Sequence, residues 1–309
     1  MLGDTTMIEI QRILCPIDFS DFSRRALDHA VAIARWYKAT IAVVHVDSSI
    51  EVVGYPTPML GVPATWQFSD RAELITQLQR FVEPECPPGV SIETVLREGR
   101  AVNEILEQAA ATNADLIVMG THGASGFEHL VLGSVTEKVL RKARCPVLTV
   151  PRPQPDAVPA GPVVFKRIVC AVDFSECSLT ALQYALSLAQ EADGQLTVVH
   201  VLTSHLVPDA MFGDQHLSVL AYQRQREDEA RRRLDEVVPS TASSYCRVES
   251  TIVRGKPWRE IVGIATAQQS DLIVLGVHGR GAVDLMFFGS TAHQVVRHAS
   301  CPVLTLRQN

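Results

Sequence analysis

The sequence predicts an α/β protein made of two copies of one domain, each a parallel β-sheet covered by helices on both faces. Three observations support this prediction. Blocks of sequence recur at a nearly constant offset, a proline-rich segment separates the two halves, and short apolar runs alternate with longer amphipathic segments. Apolar strand runs between helices indicate parallel strands buried on both faces, and right-handed crossovers then give Rossmann-like, three-layer domains.

The internal repeat defines the domain boundaries. Four pairs of segments recur: RILCPIDFS at 12–20 and RIVCAVDFS at 167–175, VVHV at 43–46 and 198–201, ADLIVMGTHG at 114–123 and SDLIVLGVHG at 270–279, and CPVLTV at 145–150 and CPVLTL at 301–306. Between the copies, residues 151–162 contain five prolines and cannot hold a helix or a central strand. We therefore predict domains at 1–150 and 163–309, joined by a linker at 151–162.

The elements of the first copy follow one another in alternating order. We predict strands at 12–17, 40–46, 91–97, 115–120 and 146–150, and helices at 23–38, 70–82, 101–113 and 134–143. The strand segments are short apolar runs, and the first helix places Ala26, Ala30, Ile33 and Ala34 on one side. In the second copy, the mixed charges of RQREDEARRRLDE at 224–236 predict a solvated helix face.

Composition and charge exclude several classes of protein. The net charge of −6 provides no overall basic field for nucleic acid. No run approaches the roughly 18 apolar residues of a membrane span, and the first residues lack the pattern of a secretory signal. The seven cysteines include no C-x-x-C pair, and Cys15, Cys145, Cys170 and Cys301 lie in apolar runs where thiols act as small hydrophobes. We expect a cytoplasmic protein without nucleic-acid or membrane partners.

A glycine-rich loop between a predicted strand and a predicted helix is the main candidate for a ligand site. Gly120, Gly123, Gly133 and Ser134 have the spacing G-x2-G-x9-G-S, which recurs at Gly276, Gly279, Gly289 and Ser290. The loop is neither a Walker loop, which needs a lysine, nor the dinucleotide pattern G-x-G-x-x-G.

Glycines let backbone N–H groups approach phosphate oxygens, and a helix N-terminus offers free N–H groups and partial positive charge. The pattern therefore predicts a phosphate cradle in which Ser134 also caps the helix and donates its hydroxyl. The alternative is that the glycines only form turns and Ser134 only caps.

The two copies of this motif, together with DFS after each first strand, resemble the universal stress protein family in its tandem two-domain form. The resemblance covers almost the whole chain, except for the linker and the loops after each second strand. It implies an adenine nucleotide α-hydrolase-like fold with strand order 3-2-1-4-5 and ATP as the ligand, with Mg²⁺. Ligands of such sheets bind where the strand order reverses, so Asp18 and Gly120 would converge on one crevice.

Asp18 requires a role that suits a negative charge. A triphosphate would repel the carboxylate, whereas ribose hydroxyls or an adenine amino group would donate to it. The alternative is that Asp18 caps the first helix, although Ser20 can serve there instead. By resemblance, Asp18 and the backbone of Val46 contact the nucleoside and Val135 belongs to the phosphate site. The matching residues of the second copy are Asp173 and Val201.

The histidines near these residues are weaker candidates. His122 and His278 lie in the two glycine loops, where each would either contact phosphate or brace the loop. His45 and His200, at the ends of the second strands, are interpreted as structural. Isolated histidines are poor indicators of a metal site.

The two copies also differ from each other. Arg280 follows Gly279 and adds a charged donor, whereas the first copy has Ala124 there and only His129 nearby. The residues before the final glycine are Val131-Leu132 in one copy and Phe287-Phe288 in the other, and the longer loop at 47–70 is a candidate lid.

Three functional classes follow from these features. The first is a stress-response protein whose ATP occupancy alters its shape, assembly or choice of a regulatory protein partner. The second is an enzyme that splits ATP, but adenylating pyrophosphatases carry S-G-G-x-D-S where this chain has DFSDFS or DFSECS. A Walker lysine, a second acidic metal site and a candidate base are also missing. The third is a scaffold without nucleotide. We favour the binder, with slow ATP hydrolysis at most.

The fifth strands suggest how the lobes assemble. PVLTV and PVLTL are apolar, and an exposed apolar edge strand invites pairing. The family resemblance implies antiparallel pairing of fifth strands across a two-fold axis. We expect a pseudo-symmetric pair of lobes within the chain and a homodimer of chains in solution.

Overall fold

The computed structural model describes residues 8–48, 70–85, 88–122, 132–152, 163–203, 216–239, 242, 246–277 and 288–307. The strands are β1 Arg12–Ile17, β2 Thr40–Asp47, β3 Ser91–Glu98, β4 Leu116–Gly120, β5 Val147–Val150, β6 Arg167–Ala171, β7 Gln195–Leu202, β8 Arg247–Arg254, β9 Leu272–Gly276 and β10 Val303–Leu306. The helices are α1 Asp21–Tyr37, α2 Arg71–Val82, α3 Ala101–Ala111, α4 Ser134–Lys142, α5 Glu176–Glu191, α6 His216–Val237, α7 Pro257–Ala267 and α8 Ser290–His298. The predicted alternation of strands and helices is confirmed, with boundaries shifted by one or two residues.

One ten-stranded sheet runs through both copies in the order β3-β2-β1-β4-β5-β10-β9-β6-β7-β8. We call β1–β5 with their helices the first lobe and β6–β10 with theirs the second lobe. Within each lobe the strands are parallel, so the order 3-2-1-4-5 is confirmed. The fifth strands pair antiparallel, with Leu148 opposite Leu304.

Side chains strengthen this junction between the lobes. Thr149 Oγ1 donates to the carbonyl of Val303 at 3.2 Å, and Thr305 Oγ1 donates to the carbonyl of Val147 at 3.1 Å. Both threonines are buried, so each satisfies its hydroxyl across the junction. Phe165 of the second lobe is also buried, and its ring lies 5.5 Å from that of Trp36 in α1. The two lobes therefore share packed interior as well as a sheet.

Two apolar cores lie on opposite faces of the sheet. One contains residues of α1, α2, α5 and α6, and the other contains residues of α3, α4, α7 and α8. Along β1 the side chains alternate, with Ile13 and Cys15 in the first core and Leu14 in the second. The face predicted for α1 is buried as expected, because Ala26 and Ala30 are fully enclosed. The three-layer architecture is confirmed.

The surface of α6 agrees with the predicted solvated helix face. Arg232 pairs with Glu229 at 2.8 Å and also with Glu236, and all three side chains are more than half exposed. Among the described helices, none combines the length and the apolar character needed to cross a bilayer.

Burial keeps the strand cysteines protonated. It raises the pKa of the fully enclosed Cys15 and Cys170 thiols far above the usual range. It also raises the pKa of Cys145 to about 11 and that of Cys301 to about 12. A thiol is nucleophilic only as the thiolate, so these four cysteines act as small hydrophobic side chains.

Gly263 provides a test of the packing around α7. It lies inside the helix, and a Cβ added there would meet nothing within 4 Å. Since glycine in a helix interior costs about 1 kcal/mol relative to alanine, we expect Gly263→Ala to raise the free energy of unfolding by about 0.5–1 kcal/mol. Urea denaturation measures this change. Gly194→Ala is the matched control, because its Cβ would lie 2.6 Å from the Phe165 carbonyl oxygen. A loss of stability in Gly263→Ala would contradict the expectation.

Candidate functional site

The strand order places several predicted site residues at one edge of the first lobe. β1 lies between β2 and β4, all three parallel, so their carboxyl ends share an edge. Asp18 directly follows β1, Val46 is the next-to-last residue of β2, and Gly120 ends β4. The equivalent residues of the second lobe are Asp173, Val201 and Gly276. In each lobe these residues lie at the point where the strand order reverses, which is where open α/β sheets bind their ligands.

The Asp18 carboxylate is held by the first turn of α1. Its Oδ1 accepts hydrogen bonds from Ser20 N at 3.2 Å, Ser20 Oγ at 2.5 Å and Ser23 Oγ at 2.6 Å. Ser20 itself is the N-cap of α1 and accepts from Ser23 N at 3.3 Å. The N-cap of α1 is therefore Ser20, and Asp18, which precedes the helix, holds Ser20 in place by accepting its hydrogen bonds. In the second lobe, Asp173 accepts from the N-cap Ser175 in the same way.

The residue after each aspartate has an unusual backbone. Phe19 has φ of 63° and Phe174 has φ of 64°, a left-handed conformation that is uncommon for bulky residues. The Phe19 ring packs 4.3 Å from the ring of His45, whose Nδ1 forms a hydrogen bond with the Ile17 carbonyl at 3.0 Å. His200 packs on Phe174 in the same manner at 4.6 Å. The two histidines brace the strained turns, which is the structural role expected of them.

Two of the motif glycines are needed for packing at the ends of β4 and β9. A Cβ on Gly120 would lie 2.8 Å from the Cβ of Phe22 in α1. A Cβ on Gly276 would lie 2.9 Å from the carbonyl carbon of Cys177 in α5. Contacts this short are not tolerated, so both positions require glycine even without a ligand. The motif alone indicates phosphate approach for these glycines and does not indicate this packing role.

The third glycine of each motif closes its loop. Gly133 N donates to the Thr121 carbonyl at 2.8 Å, and Gly289 N donates to the Val277 carbonyl at 2.8 Å. A Cβ would lie 3.0 Å from the first oxygen and 2.4 Å from the second. The amides of Gly133 and Gly289 are thus engaged within the protein. They position the start of the following helix rather than serving as free donors.

The prediction that Ser134 caps α4 is wrong. Gly133 is the N-cap, with the non-helical ψ of 138°, and its carbonyl accepts the first helical bond from Glu137 N at 2.9 Å. Ser134 is the first residue of the helix and is exposed. Ser290 has the same position after Gly289 in α8. The N–H groups of residues 134–136 precede the first helical bond, and together with the Ser134 hydroxyl they lie at the N-terminus of α4.

Two buried threonines, which no sequence motif marks, form hydrogen bonds at the ends of the first loop. Thr136 Oγ1 donates to the Gly120 carbonyl at 2.9 Å, and Thr121 Oγ1 forms a hydrogen bond with His122 Nδ1 at 3.0 Å. This bond joins His122 to its own neighbour in the chain, so both predicted roles of His122, phosphate contact and bracing of the loop, stay predictions. Val277 and Ala292 stand at the equivalent positions of the second lobe. Comparing the two copies position by position would have revealed this difference.

Several predicted residues lie outside the described residues. These are Gly123, Ala124, His129, Val131, His278, Gly279, Arg280, Phe287, most of the candidate lid at 47–70 and most of the linker. Within the described ranges, His, Cys, Asp and Glu side chains form no group of three or more that would hold a metal ion.

The fold is that of a tandem, doubly wound α/β protein, with equivalent candidate residues at the carboxyl ends of the strands in each lobe. The model of the universal stress protein family matches this chain twice, at residues 9–151 and 165–307, and the chain belongs to that family.

Individual relatives agree with this assignment. A universal stress protein of Methanocaldococcus jannaschii is 38% identical over 149 residues, which cover 47% of this chain and 84% of the relative. A universal stress protein of Mycolicibacterium smegmatis is 26% identical over 301 residues and covers 96% of both chains. The crystal structure of a universal stress protein from Archaeoglobus fulgidus superimposes with a TM-score of 0.62 at 23% identity, covering 97% of each chain. The first similarity covers about half of the chain, and the other two extend over both lobes.

Proposed function

We propose that this chain is an ATP-binding tandem universal stress protein that acts as a regulatory nucleotide binder in the cytoplasmic stress response. The observation that carries the proposal is the pairing, in each lobe, of a carboxylate after the first strand with a helix N-terminus after the fourth. Asp18 suits the donor groups of adenosine, and the start of α4 suits phosphate. One crevice thus offers complementary groups to both ends of an adenine nucleotide.

The proposal gives each residue a distinct contact. Asp18 and the backbone of Val46 would contact the nucleoside, and the N-terminus of α4 at Ser134 and Val135 would bind the phosphates. Asp173, Val201 and Ser290 would act in the same way in the second lobe. Gly123, Gly279 and Arg280 are added on the motif alone. Mg²⁺ would arrive with the phosphates, which are its usual ligands in nucleotide sites.

We propose binding without appreciable turnover. A hydrolase must activate water and stabilise the charge that develops on the transferred phosphoryl group. The loop has no Walker lysine, and Oδ1 of Asp18 already accepts three hydrogen bonds from the first turn of α1. Slow hydrolysis is the most that this arrangement supports.

ATP is expected to bind at least one lobe in the presence of Mg²⁺, and GTP is expected to bind less tightly. Guanine carries a carbonyl where adenine has its amino group, so Asp18 would lose a donor. Asp18→Asn with Asp173→Asn keeps an acceptor oxygen but removes the charge, and it should lower ATP affinity about tenfold, or about 1.4 kcal/mol. Calorimetry measures both effects.

Asp21→Asn is the matched control for this experiment, because Asp21 is an exposed carboxylate in the first turn of the same helix. It should leave ATP affinity unchanged. Millimolar ATP that gives neither heat nor a thermal shift would contradict the proposal. Mass spectrometry of nucleotide released from freshly purified, denatured protein is an independent measurement.

A scaffold without nucleotide is the second candidate, and the glycine packing favours it. Gly120 and Gly133 are required by their contacts with Phe22 and Thr121, so their spacing would be kept in a chain that binds nothing. The same ATP titration separates the two candidates.

Assembly beyond one chain stays a prediction. β5 and β10 already pair with each other, so a homodimer would need a surface other than the fifth strands. A regulatory protein partner would likewise bind elsewhere.

A further inference from the structure

An open pocket of about 480 Å³ lies in the first lobe between the start of α3 and the outer face of α4. Its volume is in the range of small-molecule sites. Its lining includes the side chains of Arg100, Val102, Val135, Lys138 and Lys142. Three of these five are cationic, and all three are exposed at the rim. We call this site the basic pocket.

Among the described residues, no acidic side chain pairs with the cations of the basic pocket. In the described part of the chain, Arg100, Lys138 and Lys142 form no ion pair. The acidic residues of α3 and α4 form ion pairs with arginines outside the pocket. Glu104 and Glu107 pair with Arg97 at 2.8 and 3.8 Å, and Glu137 pairs with Arg141 at 4.0 Å.

The two lysines also repel each other. Lys138 and Lys142 lie one turn apart on α4, where like charges destabilise a helix. An anion bound between them and Arg100 would remove this repulsion.

The N-terminus of α3 lies beside the same pocket. Arg100 is the N-cap of α3 but has no side-chain acceptor and makes no capping bond. Its carbonyl accepts from Asn103 N at 2.9 Å and Glu104 N at 3.0 Å. The amides of Ala101 and Val102 precede these bonds, and both residues line the pocket. Helix N-H groups of this kind favour anions.

The second lobe has a different arrangement at the equivalent place. Its residues are Lys256, Trp258, Gln294 and His298 where the first lobe has Arg100, Val102, Lys138 and Lys142. The Trp258 ring stacks on His298, with centroids 4.7 Å apart. The stacked pair of Trp258 and His298 therefore stands where the first lobe has Val102 and Lys142. The second lobe has fewer positive charges at this place.

We propose that the basic pocket binds an oligophosphate anion. Lysine ammonium groups and helix amides are suited to phosphate oxygens, and a volume of about 480 Å³ suits a small anion. Val135 lines the pocket and is the second residue of α4, so the pocket borders the proposed phosphate site. The anion is either a free oligophosphate or the terminal phosphates of a nucleotide in the crevice. The pocket does not depend on ATP binding.

The test is an NMR titration of the full chain with sodium tripolyphosphate at about 0.15 M salt, where weak surface attraction is screened. The amide resonances of Ala101 and Val102 should shift in a saturable manner. Lys138→Gln with Lys142→Gln should weaken this binding at least tenfold. Arg141→Gln is the control for charge, to be compared with each single lysine variant, because it removes one positive charge from α4 at a side chain outside the pocket. Val102→Trp copies Trp258 and should also weaken binding, without a change in charge.

The outcomes separate the sources of phosphate. If ATP shifts Ala101 and Val102 and binds more weakly to the lysine variant, the pocket receives the nucleotide's terminal phosphates. If ATP shifts only resonances near Asp18 and Val46, the ligand is a free oligophosphate. If the chain binds tripolyphosphate but not ATP, the proposed function is contradicted and the basic pocket is supported as an anion site.

Three results would overturn the proposal. The first is unchanged tripolyphosphate binding in the lysine variant, and the second is an equal loss in Arg141→Gln. The third is binding of a poly-glutamate peptide at Ala101 and Val102 with no response to tripolyphosphate.

Discussion

Leu304→Pro is expected to lower the free energy of unfolding by roughly 3 kcal/mol or more. Leu304 lies in β10, in the interior of the ten-stranded sheet, opposite Leu148 on one side and Val274 on the other. Proline removes a backbone donor there and replaces a buried leucine. Leu148→Pro should have a similar effect, because β5 is equally enclosed. Urea unfolding, followed by circular dichroism, measures the loss.

Two kinds of variant control this experiment. Ser91→Pro places proline at the first residue of the edge strand β3, where it is tolerated much better. Thr149→Val and Thr305→Val remove only the cross-junction hydrogen bonds and should cost about 1 kcal/mol each. A Leu304→Pro chain with the wild-type unfolding midpoint would show that the lobes do not depend on the junction.

The glycine motif should divide into positions that hold the fold and positions that bind ligand. Gly289→Val is expected to destabilise the second lobe by roughly 3 kcal/mol, because overpacking is costly and a Cβ there lies 2.4 Å from the Val277 oxygen. Gly279→Val should instead leave stability unchanged, since loop positions tolerate substitution. It should lower ATP affinity in that lobe more than tenfold, or about 1.4 kcal/mol.

Thermal unfolding and ATP calorimetry of the same variants separate the two effects. Gly123→Val is the first-lobe counterpart of Gly279→Val, and the double variant should lose ATP binding while staying folded. Wild-type ATP affinity in that double variant would favour the scaffold. An unchanged melting temperature in Gly289→Val would contradict the packing role of Gly289.

Periodicity was enough to predict the elements of the fold. The helical face of α1 was recognised from Ala26, Ala30, Ile33 and Ala34, because apolar residues at helical spacing must be buried together. The strand order was not contained in that pattern, since several orders bury the same side chains. It came from the family resemblance, and it is this order that brings Asp18 and Gly120 to one edge.

The details of the site depend on contacts that a linear pattern does not contain. Phe19 has a left-handed backbone and packs its ring on His45, and nothing in its residue type indicates this conformation. Ser134 was taken for a cap because serine favours that position, but the tight approach of Gly133 to Thr121 moves the cap back by one residue. Gly120 appeared to be a ligand residue because its true neighbour, Phe22, lies on another element.

Joining the two lobes in one polypeptide affects how strongly they stay associated and how freely their sequences can differ. Separate subunits meet only by diffusion, whereas a linker keeps β5 and β10 at a high effective concentration. Dilution therefore does not dissociate the two strands. A symmetric dimer must also carry every mutation twice. Here each half is encoded separately, and Thr136 and Val102 in one half are matched by Ala292 and Trp258 in the other. The sequence of one lobe can therefore change without the same change in the other.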